Sequence, residues 1–199
     1  MLRMARSVER RPSSNHALTA LPAFEGGSGE IVNVVIETVQ GSCNKFKFDD
    51  RRGVFRVSTI LPTGSVFPFD FGFVPSTLGE DGDPLDVLVL MDGPTFPGCV
   101  IECRLIGVIE ARQRERDGRT GRNDRLIAVA RKDHRYRHVA RLTGLGDPLV
   151  TEIEEFFVNY TRLRGKAFMP LGRRGPKAAK SLIRKGMAHA EARRSRRRA

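Results

Sequence analysis

Asp81-Gly82-Asp83-Pro84-Leu85-Asp86-Val87-Leu88-Val89-Leu90 is an acidic turn that runs directly into a short apolar strand. A Gly and a Pro between acids favour a bend, so the three carboxylates should converge instead of pointing to alternate sides of a strand. Convergent carboxylate oxygens beside a buried strand are the ligands that Mg²⁺ and Mn²⁺ prefer. The segment therefore indicates phosphate chemistry supported by a divalent metal.

Two other interpretations fit an acidic turn. Asp and Gly both favour turns, so an Asp-Gly-Asp triplet alone is typical of a solvated loop. A calcium-binding loop is the second alternative, but such a loop needs Gly at its sixth position, where Asp86 stands. The complete order Asp, Gly, Asp, Pro, apolar, Asp, apolar is far more specific than the triplet.

Length and composition indicate one domain with extensions. The chain has 199 residues, of which 40% are hydrophobic and 29% charged, values typical of a soluble protein. No apolar run reaches the length of a membrane span. Residues 1–30 mix Pro, Ser, Gly and charges without a sustained period, which predicts a disordered extension. They lack the apolar region of a secretory signal, although their basic start leaves an organellar leader as an alternative.

The positive charge is concentrated at the C-terminus. The formal net charge is +12, and residues 177–199 hold nine Lys or Arg and one Glu, which leaves +4 for residues 1–176. The chain therefore reads as a nearly balanced domain with a basic tail. Such a tail is able to contact nucleic acid or an anionic surface nonspecifically.

The cysteines indicate a reducing compartment. Cys43, Cys99 and Cys103 form no Cys-x-x-Cys pair and no metal-like cluster with the four histidines. This predicts free thiols and a cytoplasmic protein.

Short apolar and alternating runs predict a β-rich domain. The predicted strands are Ile31–Glu37, Lys45–Asp49, Val54–Val57, Val87–Leu90, Val100–Val108 and Leu126–Ala130. Phe67–Phe73 is interrupted by Pro68 and Gly72, which predicts a packed but irregular segment. Residues 111–125 are polar and predict a long hairpin loop. Many short strands with long loops favour a small closed or partly closed barrel.

Helical patterns come late in the chain. Asp147-Pro148 is typical of a helix start, and the apolar residues that follow it have helical spacing. A second helix is predicted over residues 176–190, followed by a solvated run of arginines at 193–198.

The segment Asp81–Val87 resembles the signature of the soluble family I inorganic pyrophosphatases. The resemblance covers roughly residues 31–185 and implies an α+β, mainly β fold: a small OB-like five-stranded barrel flanked by C-terminal helices. Residues 1–30 and 186–199 would be an N-terminal extension and a basic tail. The resemblance also implies Mg²⁺-dependent hydrolysis of pyrophosphate to two orthophosphates, with Mn²⁺ as a possible replacement, by a homo-oligomer that is commonly a hexamer.

The same resemblance assigns roles to individual residues. Asp83 would accept a proton from the attacking water, and Glu37 would support the metal–water network. The implied metal ligands are Asp81, Asp83, Asp86 and Asp124, and the implied substrate contacts are Lys45, Arg125 and Tyr160. The spacing of Tyr160 also suits a core position. The family's acid near residue 124 falls on Asn123, so Asp124 is the expected ligand, with Asp117 or Glu115 as alternatives.

The chain departs from the family pattern on the phosphate side of the site. Lys47 stands where the family has Glu, Thr59 where it has Arg, Phe71 where it has Tyr, and Thr161 where it has Lys. Each lost charge-assisted phosphate contact costs about 1.5–3 kcal/mol, and nearby arginines at 51, 52 and 56 are the available replacements. Besides an active diphosphatase, the sequence therefore leaves two alternatives: a divergent or inactive member with another phosphorylated ligand, and a basic-tailed barrel that binds nucleic acid.

Overall fold

The computed structural model describes residues 17–26 and 29–198. Its strands are β1 (Phe24–Glu25), β2 (Ile31–Thr38), β3 (Asn44–Asp49), β4 (Val54–Ile60), β5 (Asp70–Val74), β6 (Leu85–Leu90), β7 (Val100–Arg114), β8 (Thr120–Arg122), β9 (Arg125–Ala130) and β10 (Ala167–Arg174). Its helices are α1 (Ala17–Ala20), α2 (Asp147–Arg162) and α3 (Pro176–Arg198), with a 3-10 turn at Leu142–Leu145.

Five strands close into a barrel. Going around the ring, β2 pairs with β5, β5 with β6, β6 with β9, β9 with β7, and β7 again with β2. Only the β6–β9 pair is parallel. Closure of the ring removes exposed strand edges within it. The predicted mainly β architecture, with an OB-like five-stranded barrel and C-terminal helices, is confirmed.

The barrel core follows from the strands' sequence. All six side chains of β9 are buried, as are the last four of β6, which explains why both strands read as continuous apolar runs instead of alternating ones. Helix α2 covers one part of this core with its buried face, which includes Ile153, Phe157 and Tyr160. Helix α3 covers another part with Ala179 and Ile183.

Strands β3 and β4 form a separate hairpin beside the ring. The hairpin is attached to β2 through Thr38, whose hydroxyl accepts a hydrogen bond from the Phe46 amide at 2.9 Å. On its inner side Phe48 packs against Phe55 and Phe73, with ring centroids 5.0 and 6.5 Å apart. This attachment fixes the other face of β3 over the acidic turn.

Several elements differ from the sequence-based expectation. The segment predicted to be irregular contains the regular, fully buried strand β5. Strand β7 continues to Arg114 and pairs with β8, so the predicted long loop at 111–125 is mostly a paired hairpin. Strand β10 was not predicted, because Pro170 and Gly172 interrupt its pattern; the structure accommodates them at a register shift opposite β7. Helix α3 extends through the arginine run instead of ending near residue 190.

Part of the predicted N-terminal extension is structured: α1 forms one helical turn, and β1 pairs with β2. Residues 1–16 and 27–28 of that predicted extension lie outside the described residues. The three cysteines are free thiols. In the part of the chain that the structure describes, no helix is long and apolar enough to cross a membrane.

Candidate active site

The acidic turn between β5 and β6 is closed by its own hydrogen bonds. Gly79 N–H donates to the Asp83 carbonyl at 2.8 Å, and Asp83 N–H donates to Asp81 Oδ1 at 3.1 Å. Gly82 has φ +85°, a conformation that side chains other than Gly rarely adopt. The turn therefore places Asp81 close enough to Asp83 and Asp86 for their charges to act on it.

Asp86 is fixed by the parallel pairing of β6 and β9. Because Val87 lies opposite Leu126, the residues before them are also neighbours, and Arg125 forms an ion pair with Asp86 at 2.8 Å. The guanidinium of Arg125 is buried, with its carbon 4.9 Å from the Phe157 ring centroid. The side-chain oxygen of Asn123 accepts a further hydrogen bond from this guanidinium. Asn123, which stands where the family resemblance expected an acid, thus holds Arg125.

Glu37 is the buried acid of the site. It lies at the end of β2, is 7% exposed, and accepts a hydrogen bond from the Phe48 amide at 2.7 Å. Burial raises the pKa of Glu37 to about 7, and the nearby charge of Asp86 contributes to the rise, while Lys45 and Lys47 oppose it. Glu37 is therefore able to exchange a proton near neutral pH.

Two lysines of β3 face the acids. Lys45 and Lys47 are two residues apart, so their side chains leave the strand on the same side. Lys47 Nζ lies 2.6 Å from Asp83 Oδ2. Lys45 Nζ lies over the rings of Phe71 and Tyr160, 5.0 and 5.5 Å from their centroids. Among the described residues, Lys45 forms no close ion pair with a carboxylate, although its charge acts on the buried Glu37.

Asp81, Asp86 and Asp124 line a cavity of about 180 Å³ between the acidic turn and α3. Partial desolvation raises the pKa of Asp81, and the charges of Asp86 and Asp83 add to the rise. Asp124 already accepts a hydrogen bond from the Ala111 amide at 2.9 Å. The other cavity-lining residues include the cationic or titratable side chains of Arg122, Lys185 and His189.

The structure distinguishes the three loop acids. Glu115 forms an ion pair with Lys166 at 2.5 Å, and Asp117 forms one with Arg119 at 2.7 Å. Neither lines the cavity, whereas Asp124 lines it beside Asp81. Asp124 is itself paired with Arg122 at 2.9 Å, so its place in the cavity lining is what distinguishes it from the other two acids.

Tyr160 combines a core position with a place at the site. Its side chain is buried, and its ring stacks on Phe156 with the centroids 5.9 Å apart. Its hydroxyl accepts a hydrogen bond from Arg164 at 2.6 Å. The hydroxyl proton is still available to donate to a phosphate oxygen. Arg164 was not predicted as a site residue; it lies two residues past the end of α2 and four residues after Tyr160.

The other residues that differ from the family pattern form hydrogen bonds or ion pairs with nearby groups. The Thr59 hydroxyl donates to the Ser58 carbonyl at 2.7 Å, and the buried Thr161 hydroxyl donates to the Phe157 carbonyl at 2.7 Å. Arg52 and Arg56 both pair with Asp49, at 2.8 and 3.4 Å. Two of the three arginines considered as replacements are thus directed to an acid of their own hairpin.

The donor set fits a divalent cation held partly by the protein. Mg²⁺ in phosphate-processing sites is commonly bound by one or two carboxylates, with waters and substrate oxygens completing its coordination. Asp81 and Asp86 line one cavity and supply hard oxygen ligands of this kind. Among residues 17–26 and 29–198, no three acidic, His or Cys side chains form a ready-made metal cluster.

Known proteins resemble this chain in sequence and in fold. The family model described as inorganic pyrophosphatase matches residues 34–191. The inorganic pyrophosphatase of a Nostoc species is 41% identical over 153 residues, 77% of this chain and 88% of that protein. The protein of the same name from Geobacillus stearothermophilus is 39% identical over 162 residues, 81% of this chain and 93% of that protein.

A solved structure has a similar fold. The crystal structure of inorganic pyrophosphatase from Thermus thermophilus superposes with a TM-score of 0.79 at 35% identity, covering 87% of this chain and 98% of that one. The residues matched by the family model, 34–191, include Glu37, Lys45 and the acidic turn. The chain therefore belongs to the family I inorganic pyrophosphatases.

Proposed function

We propose that this protein is an inorganic diphosphatase that uses Mg²⁺, or Mn²⁺ in its place, to hydrolyse pyrophosphate to two orthophosphates. The observation that carries the proposal is that two groups of opposite charge face each other. Carboxylates of the acidic turn and Glu37 lie on one side, and the lysines of β3 lie on the other. Pyrophosphate bound with a divalent cation requires both kinds of group, because its own charge is strongly negative while that of the cation is positive.

Lys45 is the proposed primary phosphate contact. Its ammonium lies over Phe71 and Tyr160, and it forms no close ion pair with a carboxylate among the described residues. An aromatic floor orients a cation without removing its hydrogen-bond donors. Tyr160 would donate its hydroxyl proton to the same phosphate, and Arg125 would contribute charge from beside Asp86.

Asp81, Asp86, Asp83 and Asp124 are the proposed residues around the metal. When bound, the divalent cation would lower the pKa of a coordinated water and neutralise charge on the phosphate oxygens. Asp83 would accept a proton from the attacking water. The water oxygen would then bond to one phosphorus while the bond from that phosphorus to the bridging oxygen breaks, which yields two orthophosphates. Glu37 would hold the hydrogen-bond network beside Asp83 and exchange protons with it.

The test is release of orthophosphate from pyrophosphate by the full chain with Mg²⁺. We expect turnover with the wild type and a loss of about 100-fold or more in Asp83→Asn, since positioned general bases contribute about 10²–10⁴-fold. Glu152→Gln is the matched control, because Glu152 is an exposed acid on α2. Full activity in Asp83→Asn would remove Asp83 from the mechanism, and absence of turnover in the wild type would contradict the proposed function.

A second candidate function is hydrolysis or binding of another phosphorylated ligand. It is favoured by a specific observation. Thr59 and Thr161 stand where the resemblance implies an Arg and a Lys, so the phosphate side has fewer cations. Their hydroxyls donate to backbone carbonyls. Assays with nucleoside triphosphates and phosphomonoesters beside pyrophosphate separate the two. Preference for pyrophosphate by kcat/KM would exclude this alternative.

We also propose a cytoplasmic homo-oligomer, with a hexamer as the expected assembly. The free thiols are consistent with a reducing compartment. Strand β10 ends the sheet order and exposes Met169 and Leu171, which is an unusual edge for a monomer. Light scattering of the purified chain measures the assembly directly, and a monomeric mass would overturn the proposal.

A further inference from the structure

Lys47 differs from the other cations around the acids by its direct contact with the proposed base. Its Nζ is 2.6 Å from Asp83 Oδ2, and each side chain is about half exposed, at 49% and 52%. A lysine ammonium is positively charged at neutral pH, so a positive charge lies directly beside the carboxylate of Asp83.

The position of Lys47 is fixed by the hairpin. Lys47 pairs in register with Arg56 on β4, and its neighbour Phe48 is anchored to Glu37 through a backbone hydrogen bond of 2.7 Å. The strand therefore cannot slide without breaking the contact at Glu37. Lys45, on the same face, lies over aromatic rings instead of over a carboxylate. The two lysines thus have different partners, one available to a phosphate and the other joined to an acid.

A fixed ammonium beside Asp83 acts on a divalent cation in two ways. It occupies one carboxylate oxygen that would otherwise be a ligand, and its positive charge repels a second cation nearby. Arg125 does the same on the other side of the turn, where it pairs with Asp86 at 2.8 Å. Asp81 is left as the acid of the turn without a cationic partner among the described residues.

We propose that the ammonium group of Lys47 is a built-in cation of this active site, which takes the place of one divalent ion beside Asp83. The protein consequently binds fewer divalent ions, or binds one of them more weakly, than its acids alone would allow. The inference rests on the proposed function only for the presence of a divalent cation in the site. Lys47 in this role is a specificity-determining residue for metal content.

The experiment measures Mn²⁺ binding to the metal-free full chain, by calorimetry and by electron paramagnetic resonance, at low ionic strength. The variants are Lys47→Met, which removes the charge, and Lys47→Glu, which restores the acid that the family resemblance expects. We expect Lys47→Met to bind Mn²⁺ about tenfold more tightly, the effect of one charge-assisted contact. We expect Lys47→Glu to bind at least one additional ion.

Lys166→Met is the matched control. Lys166 also pairs with a carboxylate, Glu115 at 2.5 Å, but neither residue lines the cavity that holds Asp81 and Asp86. Its Mn²⁺ binding should equal that of the wild type. Circular dichroism and thermal unfolding of each variant verify that the barrel is intact, and Lys47→Gln supplies a second neutral variant if Lys47→Met unfolds.

The outcomes separate this inference from the proposed function. Equal Mn²⁺ stoichiometry and affinity in the wild type and in all folded Lys47 variants would overturn the inference, including the case in which none of them binds Mn²⁺. Turnover of pyrophosphate by the wild type would leave the proposed function standing in that event. Tighter or additional binding in the variants, without turnover by the wild type, would support the role of Lys47 and contradict the diphosphatase.

Discussion

Glu37 joins β2 to the β3–β4 hairpin through a single backbone hydrogen bond, and it does so inside the protein. Water cannot stabilise its charge there, which is why its pKa rises to about 7. The ordinary value, 4.5, applies to the unfolded chain. Between these two values the folded protein binds a proton that the unfolded chain has released.

The sign of the pH effect follows from this difference. Because the folded state binds more protons, the free energy of unfolding falls as pH rises from 4.5 to 7. The loss is complete above about pH 7 and reaches roughly 3 kcal/mol, at 1.36 kcal/mol for each pKa unit. Glu37→Gln keeps an acceptor for the Phe48 amide but has no charge to desolvate, so it should escape this loss.

The measurement is urea unfolding of the metal-free wild type and Glu37→Gln at pH 4.5 and pH 8 with a chelator present. We expect the stability of Glu37→Gln relative to the wild type to increase by roughly 3 kcal/mol between the two pH values. Other titrating groups cancel in this comparison. A constant difference between the two proteins would show that the Glu37 carboxyl is not desolvated in the fold.

At the scale of elements, the barrel depends on a close approach between β2 and β5. Ile36 lies opposite Gly72, and a Cβ atom at position 72 would be 2.0 Å from the carbonyl oxygen of Val35. No backbone atom tolerates such a contact, so only Gly fits there. The pairing that this Gly permits also places Phe71 beneath the ammonium of Lys45.

Gly72→Ala should therefore destabilise the barrel strongly. Overpacked cores lose about 1–3 kcal/mol, and a clash with backbone lies at the upper end or beyond. Thermal or urea unfolding measures the loss. Gly93→Ala is the control, since nothing lies within 4 Å of a Cβ at that position. Equal stability of the two variants would contradict this prediction, because it would show that β2 and β5 accommodate a Cβ atom at position 72 without loss of free energy of unfolding.

At the scale of the whole molecule, the charge is unevenly placed. Helix α3 runs to Arg198, so the basic end of the chain is a helical surface instead of an irregular tail. Residues 191–199 contribute five arginines and one glutamate to the net charge of +12. Arg193 also donates to the Gly82 carbonyl at 3.2 Å, which places the basic helix beside the acidic turn.

Deletion of residues 191–199 should weaken binding to polyanions while the barrel stays folded, because side chains 191–196 are exposed. Each arginine that contacts a phosphate adds about 0.9 to the slope of log affinity against log salt for duplex DNA. Fluorescence anisotropy with a DNA duplex across a salt series measures this slope. A variant with these arginines replaced by lysine should retain it. An unchanged slope after deletion would show that the helix end does not bind nucleic acid.

The sequence alone predicted the acidic turn and the apolar strands beside it. The bend of Asp81–Asp86 follows from Gly and Pro between acids, and the apolar runs of β6 and β9 follow from burial on both faces. Hydrogen bonds and φ angles within a few residues set the turn, and the demand for apolar side chains on both faces sets the composition of the two strands. The family and the barrel were predictable for the same reason.

The partners of the acids arose from long-range packing. Lys47 meets Asp83 across 36 residues because the hairpin docks on Glu37, and Arg125 meets Asp86 because β6 and β9 run parallel. Strand β10 likewise forms only against the long strand β7. The residues adjacent in sequence do not predict these contacts, because sheet register and barrel closure determine them. Three acids of the site, Asp81, Asp83 and Asp86, thus lie in one short turn that the sequence predicts, whereas the tertiary fold determines which cations balance them.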